Sequence, residues 1–583
     1  MYSKVVSLVF AACFSVALTN KYRENSEESF DRKESELSSS VFIEYKNPLI
    51  DISSGKIQGR VLETVDQQKV YFAFQGIPYA QPPVGNLRFS EPLPPINWND
   101  TLLTVQDGPR CIQFISIAGS EDCLYLNVFT PKLPRKDVKE QNKDLLLPVM
   151  VWVYGGTFVN GEATVKSFSP DYLIEEDVII VTFNYRVGVF GFLSTGDYAA
   201  TGNWGLKDQI LALKWVKENI QKFSGDPDKI TLFGQSAGAA CVSLLIQSPL
   251  ATGLFHGAIM QSGSALNSWA HAQFPRKSAF AIGRLLDIKT NDSSVLIEQL
   301  RKIDHRTLQT TSTSTNLGET IFHNPLDGLV FAPTAEVHHP GAVFANKSHE
   351  ALKDGNINRV PIIIGFNSQE AIPFVDVLKY LKPYLATYDL FATRLVTDSL
   401  NIKSFIIKLV LARLIRLKYF GLIPIVFSTS QLTQFVSDDQ FVRPIYEYVR
   451  QSSKYNPAYF YIFSYEGPLG VDGKKRNQPG VGHSEDNNYL WNRDTNIKNP
   501  PTEDLLTRKR LVKFWTNFAK TANPTPEFDP ILQNVTWSPT NIKGMVYLNI
   551  SSNLQMNTDF SKYSIKFWNF IFNSYGEQPY DTY

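Results

Sequence analysis

A serine set between two glycines, Gly234-Gln235-Ser236-Ala237-Gly238, is the segment of this chain best suited to chemistry. It follows Ile230-Thr231-Leu232-Phe233, which reads as a short buried strand. It precedes Ala239 to Ile246, which reads as a helix stopping at Ser248-Pro249. A sharp strand–turn–helix bend forces its central residue into a strained backbone, and the flanking glycines let strand and helix pack closely. Ser236 would then stand clear of the strand at a helix N-terminus, where unpaired N–H groups favour a developing anion. The chemistry implied is nucleophilic attack by the serine oxygen. The five-residue pattern is unspecific by itself, so the rest of the chain must supply a base, an acid to orient it and donors for an oxyanion.

Where such a bend carries a nucleophile, the partners follow in the order Ser, Asp or Glu, His. The chain has only eight histidines, which makes that order testable. His256, His271, His305, His323, His338, His339 and His349 precede the best candidate acid, and His483 alone follows it. His483 sits in the glycine-rich stretch Gly480-Val481-Gly482-His483-Ser484-Glu485-Asp486, suited to presenting a side chain at a sheet edge. The best acid is Glu370, which follows the strand-like Val360 to Gly365 and the loop Phe366 to Gln369. The plain alternatives are a solvated loop carboxylate and a loop histidine without chemistry. For the donors, the apolar run Leu145 to Val153, interrupted by Pro148, breaks into Tyr154-Gly155-Gly156-Thr157-Phe158, about 80 residues before the serine. Glycines after a strand let backbone N–H groups approach a bound carbonyl.

With these residues in place, the chain resembles the type-B carboxylesterases, which include the cholinesterases and insect esterases. The likeness runs from about residue 47 to 575. It is carried by Phe74 to Pro83 with Arg88-Phe89, by Glu121 to Val128, by Asn184-Tyr185-Arg186-Val187-Gly188, by Gly205 to Gln209 and by Gln261-Ser262-Gly263-Ser264. The resemblance implies an α/β-hydrolase fold, a mostly parallel sheet flanked by helices, with long insertions around the site. It implies Ser236 as nucleophile, His483 as base and Glu370 as orienting acid, with the N–H groups of Gly156, Thr157 and Ala237 as oxyanion hole. No metal or organic cofactor is implied, and the expected partner is a small-molecule ester. Insect juvenile hormone esterases look close: Arg88-Phe89, Asp208-Gln209, Glu370 and Gly480 to Asp486 fit their pattern, although most of these are shared across the family. Gln235, where Glu is commoner, adds most. A general esterase for xenobiotic, odorant or lipid esters is the other reading within the class. Outside it stands a non-catalytic adhesion or binding protein that keeps the fold, against which all three triad positions are filled.

Two departures bear on mechanism. Thr157 replaces the usual Gly or Ala, and a β-branched side chain there should narrow the site and disfavour tertiary esters. Ala371 replaces the usual Gly after the acid. Of four cysteines, Cys13 lies in an apolar N-terminal run (residues 1–19) that reads as a cleaved secretory signal. Secretion permits disulfides, and Cys111–Cys123 matches the family's first one. Closing so short a loop contributes roughly 2–3 kcal/mol. Cys241 is left over as a small buried residue. The loop Ile112 to Asp122 contains no tryptophan, so a choline site of the cholinesterase type cannot be built.

Residues 20–43 are polar and read as disordered, leaving 44–583 as the hydrolase domain. The sequons at Asn99, Asn291, Asn346, Asn534 and Asn549 are glycan candidates in a secreted, extracellular protein. A formal net charge of +1 gives no reason to expect nucleic acid as a partner. Phe405 to Phe427 is apolar but carries Lys408, Arg413, Arg416 and Lys418, which argues against stable membrane insertion and for an amphipathic helix; the resemblance implies that this region covers the pocket, and a weak membrane-surface role is the minority reading. Leu206, Ile210, Leu213, Val216 and Ile220 recur at helical spacing. The oligomeric state has no signature in the sequence.

Overall fold

Runs with no charge and many β-branched residues can be buried on both faces only in the middle of a covered sheet. That is where the structure puts them. A computed structural model describes residues 47–114, 118–134, 145–322, 324–378, 382–558 and 563–583. The expected signal segment and the polar stretch 20–43 lie outside the described residues. A small sheet joins β1 (Leu49–Ile52), β2 (Gly55–Gln58) and β5 (Leu102–Leu103). The main sheet contains β3 (Arg60–Glu63), β4 (Val70–Pro78), β6 (Tyr125–Thr130), β7 (Leu147–Val153), β8 (Ile179–Phe183) and β9 (Gly225–Gln235). It continues with β10 (Gly257–Gln261), β11 (Ile362–Asn367), β12 (Ala458–Phe463), β13 (Tyr547–Ile550) and β14 (Gln555–Asn557). Its spatial order is β14-β13-β12-β11-β10-β9-β7-β8-β6-β4-β3. The block from β8 to β13 is parallel, and antiparallel strands close both sides.

Every residue of β8, β10, β11 and β12 is buried. Pro148, which cannot donate to a ladder, is absorbed by a register shift between Leu147 and Val149. The strand before the serine is longer than its apolar core suggests, because it includes the polar start Gly225-Asp226-Pro227-Asp228-Lys229. The helices that matter below are α1 (Trp204–Asn219), α2 (Ala237–Gln247), α3 (Ser293–Lys302), α4 (Ile372–Leu378), α5 (Phe405–Tyr419), α6 (Thr429–Ser437), α7 (Thr502–Thr521) and α8 (Tyr563–Tyr575). One buried apolar cluster runs from Ile50 to Tyr583.

Register makes the strand ends flush. Val153 pairs with Gly234, Gln235 with Gln261, and Gly365 with Gln261. The chain therefore leaves β7, β9, β10 and β11 along one edge, the carboxyl edge, where open parallel sheets place their sites.

Candidate active site

Ser236 leaves the end of β9 at φ 59°, ψ −128°, a region nearly closed to residues with a Cβ. Such a conformation persists only when its surroundings enforce it. Its N–H donates to Gln261 O at 2.8 Å and its carbonyl accepts from Ala240 N–H at 3.0 Å, so β10 and α2 hold the bend from both sides. The flanking glycines are needed for contact: a Cβ on Gly234 would meet Gly238 C at 2.7 Å, and one on Gly238 would run into Val153 O.

Glu370 and His483 come from two loops zipped together. Gln369 N–H donates to Val481 O at 2.9 Å and His483 N–H to Glu370 O at 3.1 Å, while Val481 N–H donates to Ser368 Oγ at 3.0 Å. This brings Glu370 Oε2 to 2.6 Å from His483 Nδ1. The other carboxylate oxygen accepts Asn367 N–H at 2.7 Å. Glu370 is fully buried and His483 is 8% exposed. With Nδ1–H held by the carboxylate, Nε2 is left as the acceptor, and the side-chain amide of Gln235 donates to it at 3.1 Å. The rings of Phe374 and Phe441 flank the imidazole with centroids 5.3 and 5.0 Å away. Phe441 belongs to a π turn, Asp438–Val442, that continues α6, the kind of helix irregularity that gathers at sites.

The loop from Gly155 to Phe158 lies against the bend. A Cβ on Gly155 would meet Gln235 O at 2.5 Å and Ser236 Cβ at 2.9 Å. Gly156 takes φ 129°, and Thr157 and Phe158 follow at 54° and 59°. A β-branched residue at positive φ is strained, and Thr157 is fixed there by donating its hydroxyl to Gly156 O at 2.7 Å. Among the described residues, no acceptor is bonded to the N–H groups of Gly156, Thr157 or Ala237. Serine, imidazole, carboxylate and free N–H groups thus meet at one sheet edge.

A family model described as the carboxylesterase family matches residues 46–568. The chain belongs to the carboxylesterase family. It is a carboxylic ester hydrolase of the α/β-hydrolase fold. It is similar to a juvenile hormone esterase of Tribolium castaneum, 34% identical over 85% of this chain and 86% of the relative. It is also similar to a carboxylic ester hydrolase of Bombus ignitus, 33% identical over 90% and 94%. Among solved structures it superposes on the juvenile hormone esterase of Manduca sexta with OTFP covalently attached. That pair gives a TM-score of 0.79 at 27% identity, covering 90% of this chain and 100% of that one.

Other expected features of the esterase fall elsewhere in the fold. Cys111 and Cys123 form a disulfide, and Cys241 is free and buried, its thiol pushed up to about 12 by burial. Asn99, Asn291, Asn346 and Asn534 are exposed. Asn549 is instead half-buried within β13, where its side chain accepts from Ser464 Oγ at 2.8 Å. The diagnostic pairs do not enter the site. Arg88 is clamped to Glu121 at 2.6–2.7 Å, and Arg186 to Asp208 at 2.7–2.8 Å. Among the described residues, no group of three or more His, Cys, Asp or Glu side chains could hold a metal ion, and no helix is long and apolar enough to cross a membrane.

Sequence reasoning missed the second row of the site. Asp486 accepts Gln261 Nε2–H at 2.6 Å and Asn367 Nδ2–H at 3.1 Å, and Asn367 Nδ2–H also donates to Gly482 O at 2.8 Å. Burial raises the Asp486 carboxyl above its usual range, with nearby Glu370 adding to the effect. Gln261 and Asp486 both lie in the quoted motifs, so their presence was visible and their role was not.

Proposed function

We propose that this esterase works through an acyl-enzyme on Ser236, with His483 as general base and Glu370 as the acid that orients it. The observation that carries the reading is the 2.6 Å Glu370–His483 bond beside a serine held at positive φ. His483 Nε2 takes the proton as Ser236 Oγ attacks the ester carbonyl, and Glu370 stabilises the imidazolium. The N–H groups of Gly156, Thr157 and Ala237 receive the oxyanion, each such donor being worth about 10²–10³ in rate. Imidazolium then protonates the leaving alcohol, and water attacking by the same route frees the acid and the serine. Ser236→Ala should abolish hydrolysis of naphthyl acetate and labelling by an organophosphate; undiminished turnover would overturn the assignment.

The substrate class we propose is apolar esters, met outside the cell by a secreted, glycosylated enzyme. The apolar N-terminal run and the Cys111–Cys123 disulfide support secretion. Juvenile hormone is the specific candidate, favoured by Gln235 and by two similar proteins that bear the name juvenile hormone esterase. Measuring kcat/KM for juvenile hormone beside a short aliphatic ester tests it. A preference for the hormone of about a hundredfold or more, near 2.7 kcal/mol of differential transition-state binding, supports that reading. A flat ratio leaves the general esterase.

A further inference from the structure

Helix α5 is amphipathic the wrong way round for a surface helix in water. Leu411, Ala412 and Ile415 face inward and are fully buried. The outward side carries Phe405, Ile406 and Leu409 at 66, 74 and 37% exposure and Leu417 at 69%. At 100° per residue these four fall within one third of the helix circumference, with Arg413 in the middle of them. Gly421 turns the chain at φ 58°, and the turn that follows lifts Leu422 and Phe427 to 94 and 71% exposure. Leu390 and Phe391, beside the turn on which α5 packs, are exposed too. Ten of the 24 exposed large apolar side chains among the described residues therefore lie in residues 390–427. Concentration on that scale marks a surface that is covered in use.

Charge says what covers it. Between Asp398 and Asp438 the chain has five cations, Lys403, Lys408, Arg413, Arg416 and Lys418, and no carboxylate. Lys408 and Arg416 are part-buried and are neutralised by Asp398 and Asp389 at 3.2 and 2.8 Å. Arg413 and Lys403 remain on the exposed side. A second copy of the chain meeting this face about a two-fold axis through Arg413 would set like charges together, since the exposed Asp398 is already paired with Lys408. A phospholipid surface with anionic headgroups supplies the missing negative charge, and its acyl boundary takes the apolar side chains while Arg413 reaches the phosphates. We propose that α5 and the turn to Phe427 form a docking face for an anionic bilayer surface, lying in the interface without spanning it. The face backs onto the site wall: Tyr419 and Phe420 pack on Phe435 of α6, and Gln434 of that helix accepts from Gln369, next to Glu370.

The test is flotation of the full chain with phosphatidylcholine vesicles with and without phosphatidylserine, which depends on no assumption about the ester. The chain should float, and more strongly with phosphatidylserine present. Ile406→Gln, Leu417→Gln and Leu422→Gln together should lower partitioning at least about tenfold. Arg413→Glu should lower it about fivefold or more on phosphatidylserine vesicles and little on neutral ones. Turnover of a short soluble ester stays unchanged in both variants and shows that they fold. No flotation of the wild-type chain, or equal flotation of the triple variant, overturns the proposal. So does a wild-type dimer in sedimentation that the triple variant turns into monomer, because the face would then belong to a second copy.

Discussion

Gln235 donates its amide N–H to Nε2 of His483, the nitrogen proposed as the base. Only a neutral imidazole offers a lone pair to that donor, so Gln235 fixes the tautomer until Ser236 displaces it. Thr157 invites a test at this scale. Its strained φ of 54° and its hydroxyl bond to Gly156 stiffen the donor loop. Thr157→Gly should raise the rate on a tertiary-alcohol ester relative to a primary one, and an unchanged ratio would mean that the side chain does not narrow the site. The Glu370–His483 pairing was legible because residue types in a fixed order with a single late histidine leave little choice. The Gln235 contact was not, since it arises only when β9 and the loop after β12 converge.

Elements position these residues through bonds that skip across the sequence. The His483 loop is regular in nothing but its anchoring, and Asp486 is the anchor: it accepts one N–H from β10 and one from the end of β11. Asp486→Asn turns one acceptor into a donor facing a donor, which should cost about 1–3 kcal/mol and lower kcat more than it changes KM. The pH dependence carries a sign of its own. Burial raises the folded-state pKa of Asp486 above its unfolded value, so the folded chain holds the proton longer and stability falls as pH rises through that interval. The Asn variant lacks that slope, as denaturation midpoints across the acid range will show; a slope identical to wild type would place the linkage elsewhere. Periodicity read α1 and the buried strands well, because helix and sheet spacing are local properties. The helix expected within Phe405 to Phe427 forms as α5, whereas the pairing of Lys408 and Arg416 had no local signal, since Asp398 and Asp389 sit outside the helix.

At the scale of the molecule, the motifs that made the family legible turn out to brace it. Arg88 in the N-terminal third donates to Glu121 beside the disulfide and to the carbonyls of Leu300 and Ile303 at the end of α3, more than 200 residues away. Arg186, at the end of β8, is held by Asp208 of α1 with both side chains almost fully buried. Such residues are tied to the fold rather than to the ester, which is why they announce an esterase and stay silent on its substrate. The parts that would speak come from insertions whose packing no local pattern sets. Removing one partner of a buried pair strands a charge, so Asp208→Asn should cost about 3–5 kcal/mol and depress the denaturation midpoint sharply. At a temperature where the variant is still folded, its ratio of kcat/KM for juvenile hormone over a short aliphatic ester should equal that of the wild type. If the ratio instead shifts tenfold while the midpoint barely moves, the Asp208–Arg186 pair reads the substrate, and the motif would carry the specificity that its burial denies it.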